Sequence, residues 1–201
     1  MPQVLITGAS GLLGQALCAE CLNAGLKVLA QYHTHQPFHH RHLHWLHADF
    51  SDLNGIRDFL SQNQNELTSC EYLINNYGPM TSKELPELTA EDFLFDYHHN
   101  FITAFEITAF MIRHAPLLSV VNIGFEFADR LKPYKKIIPY AIAKNAMYVW
   151  HRSLVQRYPS IRFHMAFPTT LTGAAVAFPH HVPIPPESEA QKIVNDMLRK
   201  S

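Results

Sequence analysis

The chain has 201 residues, 47% of them hydrophobic, and a formal net charge of -1. That length suits one domain with a substantial core, and the composition excludes both a disordered chain and a global basic surface for nucleic acid. No apolar stretch is long enough to cross a membrane, and the start MPQVLITG enters a strand-like run with no basic leader and cleavage site, so a cytoplasmic location is expected.

In chain order, Gln3–Ile6 reads as a strand and Leu12–Asn23 as a helix ended by Gly25. Residues 27–31 and 42–46 form two further strands, and 51–63 a helix that Ser51 can cap. Tyr72–Asn75 is a fourth strand, and Thr89 can cap a long helix reaching His114. Then come a strand at 117–123, a helix at 139–157, a strand at 161–166 and a closing helix at 187–200. This alternation implies right-handed crossovers and a parallel sheet covered on both faces. No repeat or linker divides the chain, so residues 1–201 are expected to form one domain, with a short Pro-rich loop and closing helix from about residue 173.

The three cysteines, Cys18, Cys21 and Cys70, do not suit a disulfide framework. Cys18 and Cys21 form a CxxC inside a helix, past its first turns, where packing is the plainer reading. Of the fourteen histidines, many fall between His33 and His47. The tract can bind metal, but no Cys or carboxylate cluster completes a site; a solvent-facing loop followed by an alternating strand explains it, and no metal is expected.

The first strand runs into TGASGLLG, where Gly8, Gly11 and Gly14 sit at a strand-to-helix turn together with Ser10 and Leu13. Such glycines let the backbone approach a pyrophosphate at the helix N-terminus. The second strand ends in AQYHTH, without the Asp or Glu that usually binds the ribose 2′-OH of NAD. Gln31, Tyr32, His33, Thr34 and His35 offer donors instead, with Arg41 near, which favours NADP(H) over NAD(H). In IIPYAIAK, Pro139 suits a first helical turn. Tyr140 and Lys144 then share a face at i and i+4, where an ammonium lowers a phenol pKa.

These stretches stand in order with HADF (Asp49, Phe50), INNYG (Asn75, Asn76, Tyr77, Gly78), Asn100 in HHNFITAF, and AFPTTLTG. Over nearly its whole length the sequence resembles the short-chain dehydrogenase/reductase family. The resemblance implies a Rossmann-type doubly wound α/β fold, with about six strands in the order 3-2-1-4-5-6. It also implies roles. Tyr140 donates the proton, Lys144 tunes Tyr140 and holds the nicotinamide ribose, and Asn100 holds a water in the proton relay. Asp49 and Phe50 flank the adenine, Asn75, Asn76 and Tyr77 line the cofactor near its riboses, and Pro168, Thr170 and Thr172 pass beside the nicotinamide amide.

Two departures stand out. The family's serine after the fifth strand aligns with Phe125, which offers no useful hydrogen bond. Glu126, one residue on, or a residue of the following DRLKPYKK stretch is a candidate replacement; some pterin and dihydropteridine reductases of the family carry aspartate in place of the serine. The region after the sixth strand is also shorter than usual, so the substrate pocket is expected to be open or completed by a partner subunit.

The expected function is NADPH-dependent reduction of a carbonyl or imine on a small molecule, with the AQYHTH turn and the missing serine resembling the pterin-reductase branch. Tyr77 and Phe125 are candidates to sandwich a flat ring. Two alternatives remain open: a non-catalytic NAD(P) sensor or scaffold, and a relative of the sugar-nucleotide reductases and epimerases, to which the GxxGxxG spacing points. Phe101, Phe105, Phe110, Tyr148 and Trp150 are expected to give an apolar face for a homodimer or homotetramer.

Overall fold

The computed structural model describes residues 1–126, 135–174 and 182–199. Most of the DRLKPYKK stretch, part of the Pro-rich loop and Lys200 lie outside them. The strands are β1 (Gln3–Ile6), β2 (Lys27–Tyr32), β3 (Leu43–His47), β4 (Tyr72–Asn75), β5 (Ser119–Ile123) and β6 (Arg162–Ala166). The helices are α1 (Leu12–Asn23), α2 (Leu53–Gln62), α3 (Gln64–Leu67), α4 (Ala90–Tyr97), α5 (Thr103–His114), α6 (Ile138–Arg157) and α7 (Pro186–Leu198). The six strands form one parallel sheet in the order β3-β2-β1-β4-β5-β6, which matches the expected topology.

The pattern of each strand follows its place in the sheet. β4 and β5 are buried along their whole length, as strands covered on both faces are, and carry the polar Asn75, Ser119 and Asn122 among their apolar residues. β3 is an edge strand: Leu46 is buried while His44 and His47 face solvent. One core joins Val4, Ile6 and Ile74 of the sheet to Leu17, Cys18 and Cys21 of α1 and to Ile193, Val194 and Met197 of α7. The opposite core joins Leu5, Leu73 and Val120 to Ile56 and Phe59 of α2 and to Ile107 and Met111 of α5. Burial raises the Cys18 thiol pKa to about 12 and that of Cys70 to about 11, so these cysteines act as packing groups.

Two expectations are corrected. Asp52, not Ser51, caps α2, accepting from the Gly55 N–H at 2.8 Å. Ser51 instead donates its backbone N–H to the Asp49 carboxylate at 2.9 Å. The long helix from Thr89 begins as expected, with a capping box in which Asp92 accepts from the Thr89 N–H. It does not run unbroken to His114: a π turn at His98–Ile102 separates α4 from α5. Such a turn inserts an extra residue and re-aims the side chains it carries, and Asn100 lies inside it.

Beneath the C-terminal ends of the strands lies a buried polar row. The Asn75 amide donates to Thr108 Oγ1 and to Asn122 Oδ1, both at 2.8 Å, and the Asn122 amide faces His151 Nδ1 at 3.4 Å. The row ties β4 and β5 to α5 and α6. Burial is the leading cause that lowers the His151 pKa from 6.5 to about 4, and burial does the same to His99. Between those pH values the unfolded chain binds protons that the folded chain refuses. Stability therefore falls as pH drops from about 6.5 towards 4. His151→Gln should flatten that slope in denaturant titrations run across this window; a slope unchanged from wild type would contradict the assignment.

Candidate functional site

The glycine turn is built by its backbone. Gly8 adopts φ +61, and a Cβ there would fall 2.8 Å from the Tyr77 Cα, so only glycine fits. Gln31 holds the turn from β2: its Oε1 accepts the Gly8 N–H at 2.8 Å and its amide donates to the Ala48 carbonyl at 2.9 Å. Gln31 is thereby a buried brace and not one of the donors that the sequence suggested. α1 starts at Gly11 with no capping side chain and no acidic residue in its first turn, which leaves its N-terminal field open to an anion. The cleft in front of the turn has a volume of about 390 Å³. Gly8, Ser10, Gly11 and Leu13 line one wall; Gly14 is buried behind them in α1.

Tyr32 and His33 line the end of the cleft beyond β2. His33 Nε2 lies 3.8 Å from the Asp49 carboxylate, both side chains being exposed. The Ser51 N–H holds the Asp49 carboxyl below its ordinary pKa. Thr34 is exposed and faces His35, and it does not line the cleft. Phe50 is buried against Phe59 and Tyr77, so its ring supports the site from beneath.

The INNYG segment divides its work. Asn76 lines the cleft and latches β4 to the glycine turn, its amide donating to the Thr7 and Gly8 carbonyls. Asn75 points into the buried polar row and does not line the cleft. Tyr77 lines the cleft, and its hydroxyl lies 2.9 Å from His99 Nδ1. Burial raises the Tyr77 pKa to about 12. Tyr77 thus belongs to the nucleotide end, whereas Phe125 stands against Tyr140 with ring centroids 5.5 Å apart.

Tyr140, Lys144 and Asn100 converge behind Gly78. Lys144 is buried and donates to the Ile123 carbonyl at 2.8 Å, with its Nζ 5.5 Å from the Tyr140 ring centroid. The Asn100 amide donates to the Pro79 carbonyl at 2.7 Å, and its Oδ1 is buried with no partner among the described residues. A Cβ on Gly78 would lie 2.2 Å from that Oδ1 and 3.3 Å from Lys144 Nζ, so this glycine permits the close approach. Burial lowers the Lys144 pKa to about 7 and raises that of Tyr140. Asp96, which sequence reading missed, acts on both: its charge raises the pKa of each. Its one legible signal is the i−4 spacing from Asn100, which puts an acid on the inward face of α4. Phe125 brings a ring, and no hydrogen-bonding group, to Tyr140 from the β5 side. Glu126 lies half-buried in the turn that follows.

After β6, Thr170 is buried and its hydroxyl has no partner among the described residues, whereas Thr172 is exposed. Hydrogen bonds from the Ile184 N–H to the Thr170 carbonyl and from the Thr172 N–H to the Ile184 carbonyl pin this segment to the lead-in of α7. Pro168 is half-buried at its start.

The family model for short chain dehydrogenases matches residues 2–177. The chain belongs to the short-chain dehydrogenase family. It is accordingly an NAD(P)-dependent oxidoreductase of that type. A short-chain dehydrogenase from Streptomyces avermitilis is 18% identical with a TM-score of 0.84, the alignment covering 100% of this chain and 85% of that one. An alcohol dehydrogenase from Thermococcus sibiricus complexed with 5-hydroxy-NADP is 17% identical with a TM-score of 0.82, covering 100% and 92%. A short-chain dehydrogenase from Leptospira borgpetersenii with bound NAD+ is 20% identical with a TM-score of 0.77, covering 88% and 73%. At these identities the likeness is one of fold. No curated protein matches the sequence.

The residues of this short-chain dehydrogenase fit the dinucleotide that its fold binds. The uncapped start of α1 suits a pyrophosphate, and the buried, partnerless oxygens of Asn100 and Thr170 suit polar groups at the other end. Among the described residues no group of three metal-ligating side chains comes together, the histidine tract included, and no helix is long and apolar enough to cross a membrane.

Proposed function

We propose that the chain is an NADPH-dependent reductase of a carbonyl or imine on a small, flat molecule of pterin type. The observation that carries this reading is the convergence of Tyr140, Lys144 and Asn100 at the end of a glycine-turn cleft. The cofactor, when bound, supplies the hydride. Gly8, Ser10, Gly11 and Leu13 would hold its phosphates, Tyr32 and His33 its adenosine ribose, Asn76 and Tyr77 the segment between. Lys144, Pro168, Thr170 and Thr172 would hold the nicotinamide end.

Tyr140 donates its phenolic proton to the substrate oxygen or nitrogen as negative charge develops there. Burial favours the phenol over the phenolate, which supports a donor in the reductive direction. Lys144, bonded to the Ile123 carbonyl, holds its charge beside the phenol ring. Asn100 Oδ1 accepts from a water that returns a proton to the relay. Phe125 stands edge-on to Tyr140 and provides an apolar wall for an aromatic substrate. His33, in the place where a NAD site would put an acid, supports the 2′-phosphate preference.

The apolar patch formed by Phe101, Phe105 and Trp150 supports self-association through α5 and α6, with ring centroids 5.8 to 6.4 Å apart. Phe110 and Tyr148 lie off this patch, against His114 and Phe167.

Three outcomes follow. Tyr140→Phe should lower kcat on a pterin-like or small carbonyl substrate about a hundredfold while NADPH fluorescence titrations stay at wild-type affinity; equal turnover would remove Tyr140 as the acid. Replacing His33 by Ala should weaken NADPH about threefold or more and leave NADH nearly unchanged; parallel losses would remove the phosphate preference. In light scattering the wild type should run as a dimer or tetramer and Phe105→Glu as a smaller species, whereas a monomeric wild type would refute the interface.

A further inference from the structure

His98, His99 and Asn100 are consecutive, yet they reach three separate segments around the cleft. His98 Nε2 donates to the Phe50 carbonyl after β3 at 3.0 Å, His99 Nδ1 meets the Tyr77 hydroxyl after β4 at 2.9 Å, and the Asn100 amide donates to the Pro79 carbonyl at 2.7 Å. The π turn makes this possible. It closes from the Thr103 N–H to the His98 carbonyl, and the Thr103 hydroxyl donates to the same carbonyl at 3.0 Å. Three consecutive side chains of an α-helix fan over more than half a turn; the wider π turn narrows that fan. One helical turn earlier, Asp96 accepts the Thr81 N–H at 3.2 and 3.3 Å, so Asp96 and Asn100 clamp the segment from Gly78 to Thr81.

Of the three π-turn residues, His99 holds a cleft-lining side chain by its tip. Its own ring is buried, with the Phe95 and His98 rings 4.2 and 5.1 Å away between centroids. Tyr77 is thereby fixed along its whole length. Its backbone N–H donates to the Thr7 hydroxyl at 3.1 Å, and its ring meets Phe50 edge-on with centroids 5.4 Å apart. Its hydroxyl ends on His99 and has no other partner among the described residues. What Tyr77 offers the cleft is therefore ring carbon, turned to the side on which Phe50 leaves β3.

We propose that His99 is a positioning residue for the cofactor: it accepts the Tyr77 hydroxyl proton at Nδ1 and so holds the Tyr77 ring as a flat apolar wall for the adenosine half. This rests on the reading of the glycine-turn cleft as a dinucleotide site. The direction of the bond follows from the partners. A neutral imidazole keeps one unprotonated nitrogen, and a half-buried phenol proton needs an acceptor. Burial keeps the His99 ring neutral near pH 7. A ring already fixed at both ends adds little ordering cost when a ligand lies against it. Because the wall is carbon, it serves NADPH and NADH alike, in contrast to His33.

The test is a double-mutant cycle on NADPH binding by the full chain, read by nucleotide fluorescence. His99→Phe keeps a ring and removes the acceptor; Tyr77→Phe keeps the wall and removes the donor. Each should weaken NADPH about fivefold, and the double variant should also lose about fivefold, because the pair acts as a unit. His99→Gln, which restores an acceptor, should recover most of the loss. Adenosine 2′,5′-bisphosphate, competed against NADPH, should lose affinity by the same factor. Single effects that multiply in the double variant, or a bisphosphate that His99→Phe leaves unaffected, would overturn the proposal. If His99→Phe does not fold, NMR of the imidazole nitrogens decides. In the free chain His99 Nδ1 should resonate as an unprotonated, hydrogen-bonded nitrogen and should shift in Tyr77→Phe; an unmoved signal would overturn the proposal. A wild type that binds NADPH, with multiplying variants, removes His99 and leaves the proposed function standing. A wild type that binds no NADPH sinks the cofactor reading, and this wall with it.

Discussion

Lys144 carries its amine 2.8 Å from the Ile123 carbonyl, at the end of a strand buried on both faces. A lysine so placed loses most of its hydration, and its pKa falls to about 7. The structure answers that cost with groups drawn from separate elements. β5 presents a carbonyl, Tyr140 a ring, Asp96 a negative charge, and Gly78 the absence of a side chain. Each is fixed by something further back: Gly78 by the clamps of Asn100 and Asp96, α6 by the buried polar row that joins His151 to β5. The π turn belongs to the same arrangement, because it places Asn100 within reach of the Pro79 carbonyl while α4 and α5 each keep their own packing.

The nucleotide end obeys a different constraint. There the backbone does the work, and side chains serve to hold it. Gln31 saturates the Gly8 N–H, Asn76 saturates the Thr7 and Gly8 carbonyls, and the Thr7 hydroxyl accepts from the Asn76 and Tyr77 N–H groups. A turn braced on three strands presents the start of α1 to the cleft in one geometry. Pre-organisation of this kind lowers the ordering cost of binding.

How much of this could be read in the residues depends on the range of the interaction. The apolar residues within Gln3–Ile6 and Tyr72–Asn75 marked strands, and the glycine turn, Tyr140, Lys144 and Asn100 stood in an order specific enough to suggest both fold and site. Tertiary choices were hidden. Nothing in DYHHNFIT distinguishes a π turn from a plain helix, and Asp96 reads as an ordinary helical acid until α6 is packed beside it. Gln31 looked like a loop donor because its partners, Gly8 and Ala48, come together only when β1, β2 and the segment after β3 align. Asn75 looked like a cofactor contact, yet the alternation along β4 turns it to Thr108 and Asn122. Ser51 lost its capping role to Asp52 by one residue.

The central claim is that the glycine turn and the Lys144 pocket form one cofactor cleft, joined at Gly78. The most direct test is a fluorescence titration with NADPH of the wild type and of Gly78→Val, with circular dichroism to check the fold. A side chain at Gly78 would push into Asn100 Oδ1 and Lys144 Nζ. The account predicts NADPH binding by the wild type, and a loss of tenfold or more (roughly 1.4 kcal/mol) in a folded Gly78→Val. A folded Gly78→Val that binds NADPH as tightly as the wild type, or a wild type that binds none, would contradict it.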